Sequence, residues 1–184
     1  MRRLSAFVFV TLDGYFSGPG GDISWHRHGA EEGEYSAESL RSGNTLLFGR
    51  VTYQLMASYW PTPLAKKNDP IVARGMNDAE KVVFSRTLAK ADWAGTTLVK
   101  GSLEEEVRKL KKSSGKEMTL LGSGSILTQL VRHGLVDEVQ IMVDPVVLGT
   151  GTSLFAGIGR KLDLKLTSTR TFKSGVVLHG YQPI

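Results

Sequence analysis

The sequence predicts an α/β domain with a mostly parallel central sheet and an antiparallel hairpin at its C-terminal end. Two observations predict it. Apolar, β-branched segments alternate with amphipathic helical segments along most of the chain, as in parallel sheets with helical crossovers. The last two strand segments are separated only by residues 173–175, which indicates a hairpin turn. The 184 residues predict a single domain over 1–184.

The individual elements follow from composition and period. Strands are expected at 3–12, 45–48, 80–84, 97–100, 117–121, 136–143, 162–172 and 176–182. Helices are expected at 30–42, after the glycine at position 49, at 102–112, and from about 125 to the glycine at 134. The third of these begins with Ser102 and Glu105 at the spacing of a capping box. The glycine-rich residues 13–22 and the proline-containing residues 60–78 are expected to be loops.

Composition excludes several classes of protein. There is no cysteine, which rules out disulfides, thiolate zinc sites, iron–sulfur clusters and a cysteine nucleophile. No apolar run reaches the roughly 18 residues that a membrane span needs, so the expected protein is soluble and cytoplasmic. The net charge of +5 is compatible with an anionic ligand. The 21 glycines are the compositional feature that most needs an explanation.

Glycines follow three of the predicted strands directly, at Gly14, at Gly49, and at Gly122 with Gly124. Ligands of open α/β sheets bind beyond the carboxyl ends of the strands. The N-terminus of a helix attracts phosphate, and glycine lets the phosphate approach the backbone. Each glycine alone is equally explained by the shape of a turn. Three such sites in one small sheet predict a nucleotide ligand.

Other catalytic signatures are missing. The chain has no P-loop, no H-E-x-x-H and no G-x-S-x-G motif. Gly122 and Gly124 do not complete a dinucleotide fingerprint, because Leu127 occupies the third glycine position; Asp144 is then expected to be an ordinary strand-end residue. His26 and His28 share a loop but do not predict a metal site. The remaining economical chemistry is hydride transfer from a bound cofactor.

Short motifs along essentially the whole chain resemble the dihydrofolate reductase fold. Within it they are most similar to the C-terminal reductase domain of the bifunctional riboflavin-biosynthesis deaminase–reductase. The motifs are TLDG at 11–14, LFGRVTY at 47–53, FSRT at 84–87, LGSGS at 121–125, LVDE at 135–138, and PVVLGTG at 145–151 followed by Leu154 and Phe155. The resemblance implies a three-layer α/β/α fold and a stand-alone member of that family.

The resemblance also implies NADPH as the cofactor. By position, the residues that match the family's cofactor phosphate segments are Gly49, Arg50, Val51, Thr52, Ser85, Arg86, Thr87, Gly122, Ser123, Gly124, Ser125 and Ile126. The segment 85–87 matches the site of the 2′-phosphate, and the fork geometry of Arg50 and Arg86 suits phosphate, although either arginine could equally be a solvated surface residue. Dihydrofolate reductases have a cis Gly-Gly bond where this chain has Gly122-Ser123. A cis bond there would cost about 3 kcal/mol, so it is not a firm expectation.

The substrate side is less defined. The resemblance makes residues 13–25 a mobile lid beside the nicotinamide, with Asp13, Gly14 and Trp25 as substrate or lid residues. Asp13 is as easily a turn residue, and Trp25 a core aromatic. No catalytic residue is identified. Weak candidates are Asp13 and two acids of the first helix, Glu31 and Glu32, which a solvated helix face also explains.

Where dihydrofolate reductases have an acid on the first helix, this chain has Gly33, which disfavours a strict dihydrofolate reductase. The resemblance implies an NADPH-dependent reductase similar to the 5-amino-6-(5-phosphoribosylamino)uracil reductase of riboflavin biosynthesis, acting on a small molecule as a homodimer. An NADP(H)-binding protein without turnover stays open. The lack of cysteine excludes the zinc deaminase half. No nucleic-acid partner is expected, because the lysines near residue 111 lie at a helix end without interleaved aromatic residues.

Overall fold

The computed structural model describes residues 1–27 and 29–184, so His28 lies outside the described residues. The strands are β1 (Leu4–Thr11), β2 (Tyr15–Ser17), β3 (Thr45–Gly49), β4 (Lys81–Phe84), β5 (Thr96–Val99), β6 (Met118–Leu121), β7 (Glu138–Asp144), β8 (Thr152–Ser153), β9 (Leu164–Thr171) and β10 (Val177–Pro183). The α-helices are α1 (Ala30–Arg41), α2 (Arg50–Tyr59), α3 (Pro63–Asn68), α4 (Pro70–Asp78), α5 (Leu103–Lys112) and α6 (Gly124–Arg132).

Eight strands form one sheet in the order β5-β4-β3-β6-β1-β7-β10-β9. The first six are parallel to one another, and β10 pairs antiparallel with both β7 and β9. The expected sheet, with its C-terminal hairpin, is therefore confirmed. The β-branched and aliphatic residues of these strands suit a sheet that is covered on both faces.

Helices cover both faces of the sheet. On one face, Phe48 of β3 packs with Tyr53 of α2 and Val72 of α4. On the other, Leu120 of β6 belongs to the same buried cluster as Leu127 of α6. The alternation of side chains along each strand sends neighbouring residues to opposite layers. The result is the three-layer α/β/α arrangement.

The direction of the connections changes between β3 and β6, which lie side by side. The chain leaves β3 through α2 towards β4, on one side, and leaves β6 through α6 towards β7, on the other. Right-handed crossovers place these two helices on opposite faces. A crevice opens at the carboxyl ends of strands where the connections diverge in this way. The fold therefore places its natural ligand crevice between the β3 and β6 turns.

Two expected loops contain regular structure. Within 13–22, β2 pairs with the distant β8 and a 3₁₀ turn spans Pro19–Gly21, a pairing that local composition does not reveal. Residues 60–78 form α3 and α4. Their prolines, Pro63 and Pro70, occupy the first helical positions, and the side chains of Thr62 and Asp69 cap the two helices. A proline at the first helical turn costs no hydrogen bond, so here it marks a start and not a loop.

Two smaller expectations about side chains are also wrong. Ser102 makes no side-chain cap, although its carbonyl accepts a hydrogen bond from the N–H of Glu106. Glu32 is 1% exposed and so does not belong to a solvated helix face. Lys111 is also buried. Its aliphatic chain is shielded from solvent, and its ammonium group donates a hydrogen bond to Asp137. Among the described residues, no helix combines the length and apolar character required to cross a membrane.

Candidate functional site

Three turns that follow strands lie side by side at one edge of the sheet. Gly49 of β3 is in register with Phe84 of β4, and Leu47 of β3 with Leu120 of β6. The residues after these strands, which begin with Arg50, Ser85 and Gly122, therefore start neighbouring turns about 5 Å apart at the same edge. The structure thus brings together the three predicted cofactor segments.

Ser123 joins the two glycine turns directly. Its Oγ accepts a hydrogen bond from the backbone N–H of Gly49 at 2.8 Å and lies 3.0 Å from Thr52 Oγ1, to which it can donate. Ser123 has φ 58° and ψ 57°, a left-handed conformation that costs a non-glycine residue about 1–2 kcal/mol. It is the one non-glycine residue with positive φ among the described residues, and none of their peptide bonds is cis. Backbone outliers of this kind cluster at functional sites.

Two helix N-termini open onto this edge without a side-chain cap. Neither Gly49, before α2, nor Ser123, before α6, caps its helix with its side chain. The first backbone N–H groups of each helix also lack intrahelical acceptors. A Cβ at Gly49 would lie 3.0 Å from Ile126 Cγ1 and 3.3 Å from Ser123 Oγ. Glycine therefore lets the two turns pack closely, which brings the N–H groups of both helix N-termini to one edge; such groups attract phosphate.

Arginine side chains flank these turns. Arg50 and Arg86 are both exposed, and neither forms an ion pair with any described residue. The Arg50 guanidinium donates to Gln54 Oε1 at 3.0 Å. Between the two arginines, the Ser85 hydroxyl accepts N–H bonds from Thr87 and Leu88, at 3.2 and 2.9 Å, and so shapes its own turn. Both guanidinium groups remain available to an anion.

Three other predicted cofactor residues make less specific contributions. Val51 is 67% exposed on α2. Ser125 is exposed on the first turn of α6, and Gly124 is buried at its start. A Cβ at Gly124 would lie 2.7 Å from Cε1 of Phe16, which belongs to β2. The segment predicted as a lid thus reaches the beginning of α6 and packs against it.

Asp13 holds the turn after β1 to the loop after β7. Its carboxylate accepts the Thr11 hydroxyl at 2.6 Å and the backbone N–H groups of Leu148 and Gly149, at 3.2 and 2.8 Å. The hydrogen bond from Thr11 is the largest of the effects that lower the pKa of Asp13 below its ordinary value. Desolvation, the next largest effect, acts in the opposite direction, and the two backbone donors lower the pKa further. Gly14, at φ +85°, completes the turn. Of the two roles considered for Asp13, the structure places it in turn chemistry.

A buried histidine–aspartate pair lies at the same end of the sheet. His26 Nδ1 is 2.9 Å from Oδ2 of Asp144, which is the last residue of β7 and only 2% exposed. The imidazole stacks on Phe9 of β1, with ring centroids 3.7 Å apart, and lies edge-on to Trp25 at 6.0 Å. Trp25 is buried, and its indole N–H donates to the Asp22 carbonyl. Sequence reasoning missed this pair, since 118 residues separate its members and no motif links them.

Glu31 and Glu32 of α1 contact the turn between β9 and β10. Glu31 accepts the backbone N–H of Lys173 at 3.0 Å and pairs with its ammonium at 3.1 Å. These contacts lower the pKa of Glu31, the backbone hydrogen bond most strongly. Glu32 accepts a hydrogen bond from the Ser174 hydroxyl. Both carboxylates therefore hold the β9–β10 turn against α1, and the structure does not bring them to the glycine turns.

Other candidate sites are weaker. The described residues include no group of three His, Cys, Asp or Glu side chains that could hold a metal ion. A cavity of about 490 Å³ lies between α1 and α4, lined by Leu40, Ile71, Gly75 and Lys116 among others. It opens at the amino-terminal edge of the sheet, opposite the glycine turns. The carboxyl edge remains the candidate site.

Comparisons with known proteins show the family of the chain. The sequence model of the RibD C-terminal domain matches residues 2–178. The protein YyaP of Bacillus subtilis (strain 168), itself uncharacterized, is 36% identical over 180 residues, which cover 96% of this chain and 92% of YyaP.

Three solved structures have the same fold. A Shewanella sp. PV-4 protein provisionally assigned to riboflavin biosynthesis has a TM-score of 0.76 at 20% identity, over 100% of this chain and 99% of its own. The Thermotoga maritima diaminohydroxyphosphoribosylaminopyrimidine deaminase/5-amino-6-(5-phosphoribosylamino)uracil reductase has a TM-score of 0.70 at 16% identity, over 100% of this chain and 57% of its own. Enterococcus faecalis dihydrofolate reductase, complexed with NADP(H), has a TM-score of 0.62 at 17% identity, over 98% and 96%. These matches confirm the predicted dihydrofolate reductase-like fold.

Proposed function

The chain belongs to the RibD C-terminal domain family, and from this premise we propose that it is an NADPH-dependent reductase of a small heterocyclic or ribosylamino substrate. The observation that carries the proposal is the bridged pair of glycine turns. Two uncapped helix N-termini meet at the switch point of the sheet, and the Ser123 hydroxyl ties them together at Gly49. Such an arrangement suits the pyrophosphate of a dinucleotide.

NADPH fits the residues present. The N–H groups around Gly49 and Gly124 would hold its pyrophosphate, and Arg50 and Arg86 would hold its phosphates as bidentate donors. The neighbouring β4 turn, with Arg86 exposed, favours a 2′-phosphate and hence NADPH over NADH. When bound, NADPH supplies a hydride to an electrophilic carbon. The protein's own part is to bind, orient and exclude water.

The substrate side supports a RibD-like reductase over a strict dihydrofolate reductase. Gly33 stands where the pterin-facing acid is expected, and the neighbouring Glu31 and Glu32 are engaged by the β9–β10 turn. The Thermotoga maritima neighbour is a deaminase/5-amino-6-(5-phosphoribosylamino)uracil reductase, and a substrate of that chemical class is our proposal for this chain. The chain has no cysteine, so the proposal includes no deaminase activity.

We extend the proposal to a cytoplasmic homodimer. The edge strand β9 has exposed side chains at seven of its eight positions, and within the described part of the chain no strand pairs with its outer side. An edge of this length without a cover is a template for pairing with another chain. Light scattering of the purified protein tests the dimer, since it separates a mass near 20.1 kDa from twice that value.

The proposed activity is tested by mixing the protein with NADPH and 5-amino-6-(5-phosphoribosylamino)uracil, with dihydrofolate as the second acceptor. We expect protein-dependent loss of NADPH absorbance with the uracil derivative and little with dihydrofolate. The control is Arg50→Ala at the same concentration. Tight NADPH binding without oxidation by either acceptor would favour a binding protein without turnover. Absence of NADPH binding would contradict the proposal altogether.

A further inference from the structure

His26, in a loop, and Asp144, at a strand end, are held by more contacts than their places in the fold need. One carboxylate oxygen of Asp144 bonds to His26 Nδ1 at 2.9 Å, and the other accepts the backbone N–H of Arg27 at 3.3 Å. Both oxygens are thus occupied in a side chain only 2% exposed. The imidazole is also stacked on Phe9. A carboxylate bound to one ring nitrogen fixes the tautomer and orientation of a histidine.

The order of the strands places this pair at one end of the proposed cofactor. The 2′-phosphate side lies at β4 and the pyrophosphate turns at β3 and β6, and the next strands along the same edge are β1 and β7. Thr11 of β1 is in register with Asp144 of β7. Adjacent strands are about 4.8 Å apart, so a dinucleotide with its 2′-phosphate at β4 and its pyrophosphate at β3 and β6 would have its nicotinamide end towards β1 and β7.

On the basis of the proposed function, we infer that His26, oriented by Asp144, faces the nicotinamide end of the site and donates the proton that completes reduction of the substrate. One hydride from the cofactor and one proton from the His26 imidazolium add across a C=N or C=O bond. The carbon takes the hydride, and the electron pair of the bond moves to the heteroatom, which takes the proton. The cofactor is oxidised, the substrate is reduced, and the imidazole regains its proton from water.

The surroundings of His26 suit this role. Its described neighbours are apolar on two sides, at Phe9 and Trp25, and anionic on a third, at Asp144. The side chain of Arg27 is exposed, so its charge is largely screened by solvent. The His26 side chain is 9% exposed, so these neighbours hold its ring over most of its surface.

The location is tested by nitrogen-15 NMR of the histidine side chains in the full chain. His26→Gln identifies the His26 signals by their loss. We expect saturating NADPH to shift these signals, and adenosine 2′,5′-bisphosphate, which carries only the adenosine side, to leave them in place. His133→Gln is the matched control, since His133 lies 47% exposed on the far end of α6 and pairs with Glu104. Binding of both ligands without any shift at His26 would overturn the inference and leave the proposed function standing.

The chemical role is tested by single-turnover rates with NADPH and 5-amino-6-(5-phosphoribosylamino)uracil. His26→Gln is expected to lower the rate by about 100-fold or more without a comparable change in NADPH affinity. Asp144→Asn, a change in a positioning residue, should lower kcat with NADPH KM preserved. An unchanged rate in His26→Gln would overturn the inference, whereas failure of both ligands to bind would instead remove the proposed function on which it rests.

Discussion

The hydroxyl of Ser123 accepts the backbone N–H of Gly49 at 2.8 Å, across the boundary where the sheet connections diverge. Gly49 ends β3 and Ser123 precedes α6, so this one bond sets the spacing of the two proposed phosphate turns. Ser123 holds a left-handed conformation to make it. Strained backbone conformations of this kind cluster at functional sites.

Two substitutions of Ser123 distinguish the effect of its strained backbone from the effect of its hydrogen bond to Gly49. Ser123→Ala keeps the left-handed conformation but leaves the buried Gly49 N–H without its acceptor, and should lower the free energy of unfolding by about 1–3 kcal/mol. Ser123→Gly also removes the strain, so its stability should stay within about 1 kcal/mol of wild type. Both should weaken NADPH binding, measured by fluorescence titration. Wild-type affinity in Ser123→Gly would show that the bridge has no role in binding.

A methyl group at Gly49 should fill the proposed phosphate cradle. The added Cβ of Gly49→Ala would lie 3.0 Å from Ile126 Cγ1, so we expect a loss of about 1–3 kcal/mol in stability and at least tenfold weaker NADPH binding. Gly33→Ala is the control. At Gly33 the nearest atom to a Cβ is Asp69 Oδ2 at 4.0 Å, and the variant should gain up to about 1 kcal/mol with unchanged affinity. Equal NADPH affinity in both variants would argue against the cradle.

The two exposed arginines should differ in their selectivity. Arg86→Ala should weaken the binding of NADPH by about tenfold and leave the affinity for NADH nearly unchanged, because only NADPH carries a 2′-phosphate. Arg50→Ala should weaken both. Arg74→Ala removes a similar charge, paired with Asp78 on exposed α4, and serves as the control in calorimetric titrations of both cofactors. Equal losses for NADPH and NADH in Arg86→Ala would move the 2′-phosphate site elsewhere.

Glu32 is expected to contribute to the stability of the fold and not to NADPH binding. Glu32→Ala leaves the Ser174 hydroxyl without its buried acceptor, so the denaturation midpoint should fall by an amount equivalent to about 1–3 kcal/mol. NADPH affinity should not change. Glu38→Ala, at an exposed position of the same helix, should have little effect on either quantity. A variant at position 32 that kept full stability but lost turnover would instead indicate a catalytic carboxylate.

Asp13 should make stability depend on pH in the acid range. Its pKa in the folded state is lowered from the model-compound value of 3.8, chiefly by the Thr11 hydroxyl. The contribution of Asp13 to stability is therefore present above pH 3.8 and is lost as pH falls through the lower folded value. Urea denaturation should show wild type and Asp13→Asn converging as pH drops below about 4. A constant gap between the two curves from pH 3 to 6 would contradict this.

The sequence predicts the parallel sheet and the candidate site better than the segments between them. The three glycine sites were identified because a strand end followed by glycine is a local pattern, and the structure places Gly49 and Gly122 at the ends of adjacent strands. The hydrogen bonds between residues far apart in the sequence were not predictable. Nothing near Ser123 in the sequence indicates that its hydroxyl reaches Gly49, 74 residues away.

The errors share the same cause. Pro63 and Pro70 were interpreted as loop residues, although proline at the first helical position is favourable once Thr62 and Asp69 cap the helices. Glu32 was assigned to solvent because a run of acids usually is solvated, and only the distant Ser174 explains its burial. Long-range pairing determines these environments, and a single sequence contains no direct record of it.

We propose that the bridged glycine turns bind NADPH. Titration of the wild-type protein with NADPH, followed by the fluorescence of its three tryptophans, tests it most directly. We predict saturable binding at least tenfold tighter for NADPH than for NADH, a difference of about 1.4 kcal/mol in binding free energy. The absence of saturable binding at millimolar concentrations of both cofactors would contradict it.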